Sequence, residues 1–458
     1  MAAVILAAGL GTRMRSRLPK ELHTVCGRPL LQHVIRAATS ANPDQLIVVL
    51  SPAKASVVDS LPDHCQVVWQ TEPLGTGHAA AQALPLLLPR IRHVAVLFGD
   101  HPLLTGDAVT ELIARSRDSG ALVSLLTAIL DDPGAYGRVQ YVRDRIAGVV
   151  EAKADPTIYD GPVEIYSGIS CYQRDWLDRQ LPVVPRSAVG EYYLTSLVSM
   201  AAGESEPERP VISVVAPAET AYGINDRVEL AVAERVMRSR INERLMRAGV
   251  TIVDPATTFI DDTVAIGTDA RIEPLTSISG TTIIGEQSVI GPSTFIRDST
   301  IGADCVVHAS TLEGAVVGDR VHIGPYAHFR SGTSIDSDVH IGNYVEMKNA
   351  RIGRGTHVGH FSYLGDAEIG QRVNIAAGTI TANYDGVDKH RTIIGDDAFI
   401  GCDTILRAPV SVGEGGKTGA GSVVTHDVAP GETVTGVPAR PFQRRPAVKH
   451  DGEGDNEH

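Results

Sequence analysis

An aliphatic residue followed by glycine recurs through the second half of this chain, and that repeat constrains the fold more than any other feature. It reads Ile266-Gly267, Ile284-Gly285, Ile290-Gly291, Ile301-Gly302, Val317-Gly318, Ile323-Gly324, Ile341-Gly342, Ile352-Gly353, Val358-Gly359, Ile369-Gly370, Ile394-Gly395, Ile400-Gly401 and Val412-Gly413. Many neighbours, such as Ile284 and Ile290, are six residues apart. A hexapeptide period predicts a parallel β-helix. Each unit forms one flat side of a triangular coil, its aliphatic side chain pointing inward onto its equivalent one coil away. Small residues let the chain turn the corners, and stacked coils bury a continuous apolar column. One stretch, Thr381-Ala-Asn-Tyr-Asp-Gly-Val-Asp-Lys-His-Arg-Thr392, is polar and out of register. The column has no room for it, so it must project outward, where such proteins bind ligands.

The first half follows another rhythm. Short apolar runs at Val4–Ala7, Leu46–Leu50 and Val94–Phe98 alternate with helix-like stretches such as Leu30–Ala38 and His78–Leu87. That βαβ order predicts an α/β domain with a mostly parallel, Rossmann-like sheet whose ligands sit beyond the carboxyl ends of the strands. The 458 residues exceed one ordinary core. The expected division is a first domain over 1–225, a linker helix over 226–249, the β-helix over 250–441 and a disordered tail over 442–458. Asp226 is placed to cap the linker helix and Gly249 to end it.

A net charge of −13 argues against a nucleic-acid-binding face, which needs a basic surface. No apolar run reaches membrane-spanning length. The start, MAAVILAAGLGTRM, lacks the basic n-region of a signal peptide and reads as a buried strand. Cys26, Cys65, Cys171, Cys305 and Cys402 are scattered and odd in number. They fit neither a disulfide framework nor a zinc site, and suit a reducing cytoplasm.

Directly after the first strand comes Leu6-Ala-Ala-Gly-Leu-Gly-Thr-Arg-Met14, with Lys20 in Leu18-Pro-Lys-Glu-Leu22. Gly9 and Gly11 let backbone N–H groups approach phosphates, and Arg13 and Lys20 add charge where a triphosphate would lie. Alone, two glycines at this spacing mark a tight turn as readily as a phosphate site. The spacing is not that of the dinucleotide fingerprint. The run resembles the signature of sugar-1-phosphate nucleotidyltransferases.

That resemblance assigns nucleotide and sugar contacts to Leu6, Ala7, Ala8, Gly9, Gly11, Thr12 and Lys20. It extends them to Gln70, Gly75 and Thr76 in the run Leu74-Gly-Thr-Gly-His, then to Gly137, Glu151, Tyr166 and Asn225. Arg13 and Lys20 become the catalytic charge stabilisers. Asp100, in Phe98-Gly-Asp-His-Pro, is by itself as good a helix cap as a ligand; in the family it holds Mg²⁺ together with an asparagine, here Asn225. Tyr166, in Glu164-Ile-Tyr-Ser-Gly168, stands where the family carries asparagine. Tyrosine offers one hydroxyl in place of an amide, which implies an altered sugar pocket.

In the second half the resemblance narrows. Phe329-Arg-Ser-Gly, Val345-Glu-Met-Lys348, Gly359-His-Phe-Ser-Tyr363, Val373-Asn374 and Ala382-Asn-Tyr-Asp-Gly386 occur in one order. They are similar to the bifunctional N-acetylglucosamine-1-phosphate uridylyltransferase/glucosamine-1-phosphate acetyltransferase family, and the similarity runs from Leu6 to about Pro438. Membership implies acetyl-CoA and UTP as co-substrates and Mg²⁺ as cofactor. It also implies a left-handed helix, a homotrimer with a shared acetyl site, and a cytoplasmic role in supplying cell-envelope precursors.

It makes His360 the acetyl-transfer base, since an imidazole suits proton removal from an amine near neutral pH. Glu346 is the expected partner of its ring. Arg330, Lys348, Tyr363, Asn374 and Lys389 are the implied glucosamine-1-phosphate contacts. Ala377, Asn383, Tyr384, Cys402, Ala420 and Arg440 are those of acetyl-CoA. Cys402 replaces a serine of some relatives, and Gly436 an arginine that Arg440 stands near. The competing reading is a single-activity nucleotidyltransferase with a regulatory β-helix, which would not need His360, Lys348 and the Asn383-Tyr-Asp-Gly loop together.

Overall fold

The computed structural model describes residues 1–134, 136–150, 161–188 and 190–441. Glu151 and the 442–458 tail lie outside these. The chain divides into two compact units, Met1–Arg240 and Ile241–His458.

The first unit is built on β1 (Ala2–Leu6), β2 (Gln45–Leu50), β3 (Gln66–Trp69), β4 (His93–Phe98), β5 (Val123–Leu130), β6 (Gly137–Val142), β7 (Arg145–Val150), β8 (Val163–Gln173) and β9 (Val211–Val215). The path across the sheet is β9-β5-β8-β4-β1-β2-β3, with the β6–β7 hairpin attached to β8. Strands β3, β2, β1 and β4 are mutually parallel, as the βαβ rhythm predicts. Strand β8 runs antiparallel to both β4 and β5, so the sheet is mixed at that side. β1 and β2 are apolar on both faces because helices cover both. On one face α1 (Leu30–Ser40) and α3 (Gly106–Ser119) pack over Ala3, Ile5, Val48 and Leu97. On the other, α2 (Thr76–Ala83) packs over Val4, Leu6 and Val49. The carboxyl ends of β1 and β4 open into the Leu6–Thr12 loop and Asp100.

A long helix spans Arg227–Arg247. Asp226 Oδ1 accepts from the N–H groups of Val228 and Glu229, both at 2.9 Å, which satisfies two orphan donors of its first turn. Gly249 follows with φ +97°, a torsion that favours glycine.

The second unit is a left-handed parallel β-helix whose three sides are three parallel sheets. One inward ladder runs Ile266, Ile284, Ile301, Val317, Ile335, Ile352, Ile369, Ile394 and Val412. Gly291 and Gly324, with φ +106° and +104°, supply a turn torsion as predicted, but most of the repeated glycines serve a different purpose. A Cβ on Gly285 would meet the Gly302 carbonyl carbon at 2.5 Å, and one on Gly318 the Ser337 nitrogen at 2.7 Å. They let one coil lie flush on the next. Corners are turned by Asp269, Gln287, Asp304, Arg320 and Asp338, with φ from +55° to +65°. Ile369 pairs with Ile394, so the extra residues between them leave the stack. They form a tight hairpin in which Tyr384 bridges Lys389. Asp385 Oδ1 accepts from the N–H groups of Val387 and Asp388, each at 2.8 Å, and His390 Nε2 meets Asp385 Oδ2 at 2.7 Å.

Candidate active sites

In the first unit a cavity of about 400 Å³ opens above the ends of β1 and β4. It is lined by the whole Leu6–Arg13 run together with Lys20, Gln70, Gly75, Thr76, Asp100 and Asn225. The sequence-predicted nucleotide residues thus converge from five separate segments. A Cβ on Gly9 would meet nothing within 4 Å, so its backbone faces open space. Gly75 has φ +96° and its Cβ would strike the Tyr192 carbonyl oxygen at 2.6 Å. No other residue fits that turn. Gln70 is buried and donates to the Gly75 carbonyl at 3.1 Å.

A second cavity of about 400 Å³ adjoins the first and contains Tyr136, Gly137, Tyr166 and His101. The two share Thr76, Phe98, Asp100 and Asn225 as a common wall. Glu164 lines neither; its Oε2 accepts from the Tyr141 hydroxyl at 2.7 Å. Tyr166 is only 5% exposed. Its hydroxyl donates to the Gly168 carbonyl at 2.6 Å and meets Ser170 Oγ, so it is engaged within the protein.

Charge concentrates on the shared wall. Lys20 Nζ lies 2.5 Å from Asp100 Oδ2, and Arg13 donates to Asn225 Oδ1 at 2.8 Å. His101, which sequence reasoning passed over, contacts Asp100 Oδ1 through Nδ1 at 2.8 Å and the Ser167 carbonyl through Nε2 at 3.1 Å. Its only sequence signal is adjacency to Asp100. Burial alone would raise the Asp100 carboxyl, but His101 and Lys20 outweigh it and hold the group well below the usual carboxylate range. Asp100 is therefore ionised at any physiological pH. Among the described residues no group of three or more His, Cys, Asp or Glu gathers as a metal cage. Asp100 and Asn225 do offer one charged and one neutral hard oxygen on the same wall. That donor set fits a divalent cation completing its shell with phosphate oxygens and water.

In the second unit, neighbouring coils bring the predicted residues together in columns. Asn343 is in register with His360, and His360 Nδ1 is bonded to Asn343 Oδ1. The expected partner, Glu346, lies 3.4 Å from Arg330 Nη1. Register keeps Glu346 from the expected contact: it stacks beside His328 and Tyr363, on a different side of the coil from His360. With the amide oxygen as acceptor, Nδ1 carries the ring proton and Nε2 presents its lone pair outward.

Asp366 accepts from Asn349 Nδ2 at 2.6 Å and Asn383 Nδ2 at 2.5 Å. Burial would raise its carboxyl; these two amides, with the charges of Lys389 and Lys348, lower it. The hairpin carrying Asn383, Tyr384 and Lys389 is thereby tied to the coil bearing Lys348. Asn374 stacks on His357 one coil from His360. Asp403 N donates to the Ala377 carbonyl at 2.7 Å and Gly421 N to the Cys402 carbonyl at 2.8 Å, which aligns Ala377, Cys402 and Ala420 on successive coils. Cys402 is exposed. Arg440 sits on a short final strand antiparallel to Thr433–Thr435.

Comparison with known proteins gives two family matches. Residues 3–152 match the MobA-like NTP transferase domain, and residues 314–349 the bacterial transferase hexapeptide repeat. Among whole-chain relatives, the bifunctional protein GlmU of Heliobacterium modesticaldum is 43% identical over 441 residues, 94% of each chain. The protein of the same name from Halalkalibacterium halodurans is 41% identical over 428 residues, 93% of this chain and 94% of that one. That of Pelobacter propionicus is 42% identical over 459 residues, 99% and 97%.

Proposed function

The chain belongs to the family of bifunctional GlmU proteins, and from that membership together with the geometry of its two sites we infer that it makes UDP-N-acetylglucosamine in two steps. The second unit moves an acetyl group from acetyl-CoA to glucosamine-1-phosphate. The first joins N-acetylglucosamine-1-phosphate to the uridylyl group of UTP and releases pyrophosphate. The product feeds peptidoglycan and other cell-envelope synthesis.

The adjoining cavities with their common wall at Asp100 and Asn225 carry the first assignment. A triphosphate along the Leu6–Arg13 loop and a sugar phosphate beside Tyr136, Gly137 and Tyr166 would meet at that wall. There a sugar-phosphate oxygen attacks the α-phosphorus and pyrophosphate leaves. Alignment and charge neutralisation suffice, with no covalent intermediate. Arg13 and Lys20 supply cations. Asp100 and Asn225 would hold Mg²⁺, which when bound adds charge neutralisation at the phosphates.

In the second unit, His360 Nε2 removes a proton from the ammonium or the attacking amine of glucosamine-1-phosphate. The nitrogen bonds to the acetyl carbonyl carbon, and coenzyme A leaves as the thiol. Asn343 fixes the ring for that task. Arg330, Lys348, Tyr363, Asn374 and Lys389 bind the sugar phosphate, and Asn383, Tyr384, Ala377, Cys402, Ala420 and Arg440 line the coenzyme path. Exposed β-helix faces fit assembly as a homotrimer, with neighbouring copies completing the acetyl site. No helix among the described residues is long and apolar enough to cross a membrane; we place the enzyme in the cytoplasm.

Two assays test the reading: pyrophosphate release from UTP with N-acetylglucosamine-1-phosphate, and free thiol from acetyl-CoA with glucosamine-1-phosphate. Absence of either removes that half.

A further inference from the structure

A buried ion pair lies beneath the phosphate loop of the first unit. Lys54 Nζ is 2.6 Å from Glu21 Oε1, and the two side chains are 5% and 3% exposed. The same ammonium donates to the Ala7 carbonyl at 2.9 Å. Three segments therefore meet at one nitrogen: the loop after β1, the short 3-10 turn Lys20–Leu22, and the Pro52–Ser60 turn after β2. Glu21 directly follows Lys20, whose own ammonium reaches Asp100. Glu21 also lines the first cavity beside Ala7 and Lys20.

A buried pair of this kind is an expensive way to hold a core, because both ions lose their water. Apolar residues would fill the space at lower cost. What an apolar pair could not do is grip the Ala7 carbonyl, whose residue lies in the run of loop that lines the cavity. We propose that Lys54 and Glu21 are positioning residues for nucleotidyl transfer: they lock the loop at Ala7 to the turn bearing Lys20, so that loop N–H groups and the Lys20 ammonium address one triphosphate. This rests on the nucleotidyltransferase reading of the cavity. As positioning residues they need not touch substrate. Their effect is on the alignment of groups that do, where a shift of about 1 Å costs about a hundredfold in rate.

The test uses the full chain with Lys54→Met, Lys54→Arg and the double variant Glu21→Leu/Lys54→Met. Pyrophosphate release is measured as kcat and as KM for UTP and sugar phosphate. UTP affinity is measured separately without sugar phosphate, and thermal unfolding and acetyl transfer serve as controls. Lys54→Met is expected to lose about ten- to a hundredfold in kcat and to weaken UTP binding, with sugar-phosphate KM and acetyl transfer unchanged. Lys54→Arg, which keeps a buried donor, recovers part of the loss. The double variant relieves the uncompensated carboxylate, regains wild-type unfolding temperature and stays slow.

A double variant that regains both stability and rate would reduce the pair to packing and overturn the proposal, as would wild-type kinetics in Lys54→Met. If Lys54→Met does not fold, the double variant and Lys54→Arg decide. If the wild type binds UTP but releases no pyrophosphate, the activity reading fails by itself, and the ratio of UTP affinities still judges the brace.

Discussion

His360 Nδ1 is held by the amide oxygen of Asn343 on the neighbouring coil. The backbone pairing of two coils thus sets the orientation of an exposed ring. Replacing His360 with alanine is expected to lower thiol release by about 10²- to 10⁴-fold, the range of general-base contributions, and to leave pyrophosphate release intact. Asn343→Ala keeps the base but frees the ring, and should lower kcat by about tenfold with little change in KM. Loss of both activities in His360→Ala would mean that the residue holds the fold.

In the other half, Asp100 should leave the pH response flat near neutrality. Its folded carboxyl lies well below the ordinary value, so its ionisation stabilises the fold above that ordinary value, near pH 4, and the contribution fades only as pH falls through the folded value. Between pH 5 and 8 it should add no inflection to pyrophosphate release. Asp100→Asn removes the charged oxygen and should raise the Mg²⁺ concentration giving half-maximal rate, by at least tenfold if a cation sits there. Mg²⁺ titration of the wild type and variant checks this.

Tyr166 separates ring from hydroxyl. Tyr166→Phe loses the bond to the Gly168 carbonyl, a cost of about 1–2 kcal/mol. The hydroxyl is turned into the protein, so sugar-phosphate KM should stay near wild type. Tyr166→Asn opens space and presents an amide, and should shift KM among sugar-1-phosphates. Unchanged kinetics in Tyr166→Asn across those substrates would show that this position does not read the sugar.

Two glycines of one repeat should behave differently. Gly285→Ala drives a methyl into the Gly302 backbone, and overpacking of this kind costs about 1–3 kcal/mol. A Cβ on Gly359 meets nothing within 4 Å, so Gly359→Ala should leave the unfolding temperature of the β-helix almost unmoved. Differential scanning calorimetry compares them; equal losses would contradict the flush-coil explanation.

The β-helix was legible because its period is short and its ladder residues are alike. Ile266 announces Ile284, and the break in register after Ile380 announces a projecting hairpin. The glycine explanation was only half legible: the repeat showed small residues, but whether they supplied torsion or clearance depends on the coil opposite. Asn343 escaped notice for a related reason. Ring partners along a coil are chosen by stacking register, and nothing in the spacing of Glu346 and His360 shows that they occupy different sides. In the first unit the loop, Lys20, Asp100 and Asn225 were readable as motifs. His101 and Lys54 were not, since each acts through a contact to a distant segment, Lys54 reaching Ala7 and His101 reaching Ser167. The antiparallel β8 was hidden as well, because an apolar strand carries no mark of its direction.

The four residues common to both cavities make the trench continuous, and that has a consequence for the last stage of turnover. With nucleotide in one compartment and sugar phosphate in the other, a molecule with a uridine end and a sugar end would grip both at once. Each end then holds the other at high effective concentration, so such a molecule binds more tightly than either fragment alone. The product has that shape. Escape from the trench would then require both grips to loosen together, and a compound tethering the two ends would occupy both compartments as a chelate.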